Sequence, residues 1–131
     1  MPNDEIRIFA FISRVLRSFT FAFAGLAYLF RTQRNARVHA FVAVAVCLVA
    51  AWLRISTVSW ALLVLTIAMV IILEGLNTAL EATVDLASPE YHQLAKVAKD
   101  LAAAMVLIAA GASVVIGLLL LGPPLWQRLF H

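Results

Sequence analysis

Apolar positions recur at helical spacing over residues 6–30. At about 100° per residue, Ile8, Ile12, Val15, Phe19, Ala22 and Leu26 share one face, and Arg7, Arg14, Arg17 and Tyr28 share the other. Arginines through the first half argue against a full crossing and predict an amphipathic helix lying in the headgroup plane. Residues 31–39 form a polar, basic connection. Ala40 to Leu53 is uninterrupted apolar sequence; counted from Ala36, with Arg37 and His39 reaching the interface, it predicts a membrane helix over 36–54. Arg54-Ile55-Ser56-Thr57 predicts a tight turn, bracketed by Trp52 and Trp60 at the level of one aromatic belt.

Val58 to Leu73 is again apolar, and the polar residues after it extend the second membrane helix to 58–85. Ser88-Pro89-Glu90 reads as a stop and restart, with serine as N-cap and proline at the first helical position. The third membrane helix is then 89–121, uncharged from Leu101 to Leu121 and ended by Gly122-Pro123-Pro124. Trp126, Arg128 and His131 make a short interfacial tail. Ala109, Ser113 and Gly117 recur every fourth residue, a spacing that lets helices approach closely. The fold class expected is all-α integral membrane, a single domain over 1–131 with three transmembrane helices and an N-terminal amphipathic interfacial helix.

Composition agrees with the pattern. The chain is 64% hydrophobic and 13% charged, against about 45–50% and about 25% for soluble domains. The net charge is +3, but the arginines flank apolar runs, so they read as membrane-surface and orientation signals and no nucleic-acid partner is expected. Cys47 is the sole cysteine and lies in an apolar run, which excludes an intrachain disulfide and points to no zinc site. No cleavable leader is expected, since Asp4 and Glu5 sit at the N-terminus and no A-x-A-like site follows. Basic residues crowd before the first span and between the second and third, with only Arg54 and Arg128 on the other side. The positive-inside rule then puts the N-terminus and residues 74–100 in the cytoplasm.

Candidate chemistry lies where the second apolar run ends. Glu74, Asn77, Glu81 and Asp85 project within roughly 80° of one another on a helix. Charge at the edge of hydrocarbon is costly and marks function. His92, Lys96 and Lys99 share a face of the next helix, with Asp100 beside it, so a hairpin sets acidic stripe against basic. Carboxylates one turn apart suit Mg²⁺, lysines and histidine suit phosphate oxygens, and a partly desolvated carboxylate suits a general base. Together these fit phosphoryl transfer to a lipid hydroxyl. Salt bridges pinning two helices together are the structural alternative, even with the functional one for Asp85 and Lys96 and favoured for Asp100. No P-loop and no G-x-G-x-x-G occurs.

Glu74-x-x-Asn77-Thr78-Ala79-x-Glu81-x-x-x-Asp85, followed by His92-x-x-Ala95-Lys96-x-x-Lys99-Asp100-x-Ala102-Ala103, resembles the signature of the prokaryotic diacylglycerol kinase family, which includes undecaprenol kinases. Gly25 and Arg34-Asn35-x-x-x-His39 also look like family features. The resemblance implies a bacterial inner-membrane homotrimer with shared, cytoplasmic active sites and a membrane lipid substrate, using ATP and Mg²⁺. It implies Glu74 as catalytic base, Glu81 as metal ligand, Asn77 beside the reacting groups, Lys99 and His92 on the nucleotide side, and Asp100 as partner of the lysine. At the position of the family's second metal-binding glutamate stands Gln33, which offers one neutral oxygen, so weaker metal affinity is expected. The Leu94–Ala103 run, with Lys96 as well as Lys99, looks closer to the undecaprenol kinase branch, whereas Glu90-Tyr91-His92 looks equally like the diacylglycerol kinase branch; undecaprenol is slightly preferred. The alternative to an enzyme is a small oligomeric ion- or proton-conducting, or purely structural, membrane protein.

Overall fold

A computed structural model describes residues 2–130, with side chains from residue 4 to residue 130. It comprises α1 (Pro2–Thr32), α2 (Arg34–Leu53), α3 (Thr57–Ala87) and α4 (Gln93–Phe130), with no strand among the described residues. All four helices are long and apolar enough to cross a membrane. The all-α membrane class expected from the sequence is therefore the class found. The chain divides into two compact units, one ending at Gln33 and the other starting at Arg34.

The first unit is α1. Its hydroxyls bond within the helix: Ser18 Oγ donates to the Arg14 carbonyl at 3.0 Å and Thr32 Oγ1 to the Tyr28 carbonyl at 2.9 Å. A hydroxyl satisfied in this way adds little polarity to an otherwise apolar helix. The polar, basic stretch 31–39, expected as a connection, is helical on both sides of Gln33. Helix runs to Thr32 and resumes at Arg34, and the intervening Gln33 still donates its N–H to the Leu29 carbonyl at 2.9 Å.

In the second unit, α2 ends in a left-handed cap. Arg54 has φ 52°, its N–H donates to the Ala51 carbonyl at 3.2 Å, and the Ile55 N–H reaches back to Ala50 at 3.3 Å. This pair of bonds satisfies carbonyls left over at the helix end, at a cost of about 1–2 kcal/mol for a non-glycine residue in that conformation. Ser56 then caps α3, its hydroxyl accepting from the Ser59 N–H at 3.1 Å. The turn expected over 54–57 is thus built from two caps back to back.

The third crossing differs at both ends from its expected 89–121. Ser88 belongs to the end of α3, its N–H donating to Val84 at 2.8 Å, and Pro89 lies outside any helix. His92 takes the capping role, with Nδ1 accepting from the Leu94 N–H at 3.2 Å, so α4 begins at Gln93. At the other end α4 runs through Gly122-Pro123-Pro124 to Phe130. Each proline removes one N–H donor, but in an apolar setting leaving the helix would strand more backbone groups than staying in it. The last turns are also held: Trp126 stacks on Phe130 with centroids 4.3 Å apart, and the Arg128 guanidinium sits 5.3 Å from the centre of the Trp52 ring at the end of α2. His131 of the expected tail lies outside the described residues.

The most extensive helix pairing is α3 against α4, and α2 packs on both. The buried face of α3 is Leu63, Val70, Glu74 and Thr78; α2 contributes Ala36, Ala50 and Leu53, and α4 contributes Val106. Large apolar side chains otherwise face outward, among them Phe41, Leu107 and Leu119. A soluble protein would hide such residues, whereas lipid accepts them.

Candidate active site

The buried face of α3 changes character at Glu74. Leu63 and Val70 continue one and two turns later as Glu74 and Thr78, and Glu74 is only 2% exposed. The Thr78 hydroxyl donates to the Glu74 backbone carbonyl at 2.9 Å, leaving the carboxylate itself without that donor. Asn77 Nδ2 donates to Glu81 Oε1 at 3.3 Å, which ties the amide to the next turn of the stripe. Its other end, Oδ1, is buried with no hydrogen-bond partner among the described residues. A buried acceptor left unpaired costs about 1–3 kcal/mol and so implies a role or a missing donor.

Glu74 and Asn77 border a recess of about 360 Å³ that also touches Asn35, Val38 and His39 of α2 and Ala103 and Val106 of α4. Asn35, Val38 and His39 stand at i, i+3 and i+4, so one face of α2 supplies them together. The sequence marks Asn35 and His39 as family features, with His39 expected to reach the interface, and assigns none of the three to a site. Their spacing was a usable signal once α2 is known to begin at Arg34.

A second cluster forms at the hairpin between α3 and α4. Asp85, His92, Lys96, Lys99 and Asp100 surround a cavity of about 300 Å³. Lys99 Nζ donates to Asp85 Oδ1 at 2.9 Å across the two helices, and Lys96 pairs with Asp100 one turn along α4. Lys99 precedes the uncharged stretch of α4, and its ammonium is held above the usual lysine range, chiefly by the Asp85 hydrogen bond, with a smaller attraction from Glu81. The acidic and basic stripes meet at Asp85 and Lys99. Asp100, however, is bonded to Lys96, and Lys99 to Asp85. With Nδ1 of His92 engaged as an acceptor, the imidazole offers Nε2 to any ligand.

The expected residues thus fall into two groups joined through α3. Glu74 and Asn77 stand at the recess. His92, Lys99 and Asp100 stand at the hairpin, and Glu81 lies between, bonded to Asn77 and acting electrostatically on Lys99. Gln33 belongs to the first unit. Among the described residues no group of three His, Cys, Asp or Glu side chains gathers to hold a metal. Glu81, an oxygen donor with one carboxylate oxygen still free of the Asn77 bond, fits Mg²⁺ in the manner common for nucleotide enzymes, where one or two carboxylates act with phosphate oxygens and water.

Apolar helices carrying a buried carboxylate and, three turns further along α3, a cluster of basic side chains define an integral-membrane protein with a phosphate-compatible site. The family profile described as prokaryotic diacylglycerol kinase matches residues 20–121. The chain belongs to that family. It is 53% identical over 112 residues to the diacylglycerol kinase of Synechocystis sp. (strain ATCC 27184 / PCC 6803 / Kazusa), an alignment covering 85% of this chain and 64% of that protein. It is 41% identical over 114 residues to the undecaprenol kinase of Bacillus subtilis (strain 168), covering 87% of this chain and 93% of that protein. Against the diacylglycerol kinase of Escherichia coli (strain K12) the identity is 31% over 109 residues, covering 83% and 89%.

Proposed function

We propose that this chain is an integral-membrane lipid kinase that moves the γ-phosphoryl group of ATP to the hydroxyl of a membrane lipid alcohol, with undecaprenol slightly preferred over diacylglycerol. The observation that carries the reading is Glu74: a carboxylate buried where an apolar helix face turns polar, one hairpin from an array of lysines. A hydroxyl arriving from the lipid side gives its proton to Glu74. Its oxygen bonds to the γ-phosphorus as the bond to the β–γ bridging oxygen breaks, and ADP leaves with that electron pair.

Lys99 sets its charge against the phosphates, kept in place by Asp85. His92 presents Nε2 on the same side, and Asp100 holds Lys96. Asn77 steadies Glu81 and lines the space beside Glu74. Mg²⁺, when bound, would neutralise charge on the phosphates; Glu81 is the ligand we assign to it.

The active form is proposed as a homotrimer in the bacterial inner membrane, with shared sites on the cytoplasmic side and α1 lying at the interface. The crowding of arginines before α2 and of lysines between α3 and α4 supports that orientation. The outward apolar surface of a single chain supports assembly with copies or lipid. The preference for undecaprenol rests on the Leu94–Ala103 run. Competition between undecaprenol and diacylglycerol for labelled phosphate in one bilayer tests it. A larger share of label on undecaprenol is expected, and a larger share on diacylglycerol reverses the assignment.

A further inference from the structure

The hairpin cavity between α3 and α4 carries a second lysine, Lys96, with no part so far in the transfer chemistry. His92, Lys96 and Lys99 stand at i, i+4 and i+7 on α4, so all three project from one face. The two lysines are held differently. Lys99 donates across to Asp85 of α3 at 2.9 Å and is drawn further by Glu81. Lys96 is paired with Asp100 of its own helix, and its side chain is 60% exposed against 37% for Lys99. A lysine that precedes its carboxylate by four residues makes the weaker of the two orders of helical ion pair, and water around both partners weakens it further. Of the two cations, Lys96 is the one an incoming anion draws from its partner more readily.

The charge around the cavity makes that cation matter. Three carboxylates border it, Asp85, Glu90 and Asp100, against two ammonium groups. One negative charge is in excess, and without Lys96 the excess would be two. An anion that enters is repelled by the carboxylates, so its retention depends on each lysine. With Lys99 bonded to Asp85, the ammonium that can follow the ligand is that of Lys96.

Position along α4 orders the lysines against a chain of phosphates. Ala103 borders the recess of Glu74. Lys99 precedes Ala103 by about 6 Å along the helix axis and Lys96 by about 10 Å, at 1.5 Å per residue. A phosphoryl group placed for attack beside Glu74 is therefore nearer Lys99. The phosphates that stay on the leaving nucleoside diphosphate are nearer Lys96.

We propose that Lys96 is a second nucleotide contact, whose ammonium exchanges Asp100 for an oxygen of the phosphates retained in the leaving diphosphate, while Lys99 stays on Asp85 and faces the transferred group. No covalent bond changes in this step; one ion pair replaces another, and Asp100 is the counter-ion of the resting state. The proposal rests on the lipid-kinase reading for the identity of the anion and adds to it separate tasks for the two lysines.

The test uses the full chain in phosphatidylcholine bilayers. A fluorescent trinitrophenyl-ADP is displaced by ADP or by ATP, and phosphate transfer to a lipid alcohol is followed in parallel. Lys96→Met keeps the length of the side chain and removes its charge. It is expected to weaken displacement by ADP and by ATP by the same factor, about fivefold. The KM for ATP rises by that factor, with the KM for lipid and the unfolding midpoint unmoved. Lys96→Arg restores most of the affinity. A loss for ATP without a loss for ADP would put Lys96 at the transferred group and overturn the assignment. Unchanged displacement by both nucleotides also overturns it and leaves the Asp100 pair as a helix-surface contact. A loss seen only when phosphatidylglycerol is added to the bilayer overturns it in favour of a lipid headgroup. Wild-type protein that binds nucleotide through Lys96 but transfers no phosphate sinks the kinase reading and keeps the contact, whereas wild-type protein that binds no nucleotide removes both.

Discussion

Lys99 Nζ lies 2.9 Å from Asp85 Oδ1, a bond that crosses from α4 to α3 and gives the two stripes of the hairpin a fixed register. Both groups keep contact with solvent, so the pair contributes little to stability. Its effect is to aim the ammonium. Asp85→Ala is therefore expected to raise the KM for ATP about threefold while leaving the lipid requirement and the unfolding midpoint in place. Asp85→Asn, which keeps an acceptor oxygen, gives a smaller change. Initial rates at varied ATP check this; equal effects on ATP and lipid would remove the assigned role.

Glu74→Gln preserves the size and most of the packing of a residue that is almost fully buried. Removal of a general base costs roughly 10²–10⁴ in rate. The expected result is a fall in kcat of that order with both KM values near wild type. Thermal unfolding in detergent should show a midpoint no lower than wild type, since an uncharged amide is less costly to bury than a carboxylate.

Gln33→Glu tests the second metal ligand that the resemblance to the family implies at this position. The Mg²⁺ concentration for half-maximal activity is expected to fall. A titration of rate against Mg²⁺ at saturating ATP measures it. No change would mean that position 33 does not touch the metal.

His92 separates two roles. As the N-cap of α4 it accepts from Leu94, so His92→Ala should destabilise by about 0.5–2 kcal/mol. Asparagine is a good cap, so His92→Asn should keep the unfolding midpoint. If Nε2 also serves the nucleotide, His92→Asn raises the KM for ATP without loss of stability. An unchanged KM would leave His92 as a cap alone.

The helices were legible because their apolar runs are long and their interruptions few. The turn at Arg54 was legible too, as a polar break between two apolar runs bracketed by Trp52 and Trp60. What failed was punctuation. Ser88-Pro89-Glu90 carries a helix-start pattern, but Ser88 is claimed by the end of α3, and a histidine, an unusual cap, starts α4. Gly122-Pro123-Pro124 carries a stop pattern that an apolar environment and the Arg128–Trp52 contact outweigh. The stripe Glu74, Asn77, Glu81, Asp85 was readable from periodicity alone. Its division was not: Glu74 and Asn77 border a recess shared by α2 and α4, whereas Asp85 bonds to α4 at the hairpin, and which neighbour covers each turn depends on packing between distant segments. For the same reason Asn35 and His39 were visible as a motif but not as walls of the recess.

The most direct measurement of the central claim is transfer of labelled phosphate from ATP, with excess Mg²⁺, to undecaprenol or diacylglycerol by the purified chain in bilayers. The account predicts labelled lipid phosphate from the wild type and loss of nearly all of it in folded Glu74→Gln. Folded wild-type protein that labels neither lipid, or Glu74→Gln that labels as well as wild type, would contradict it.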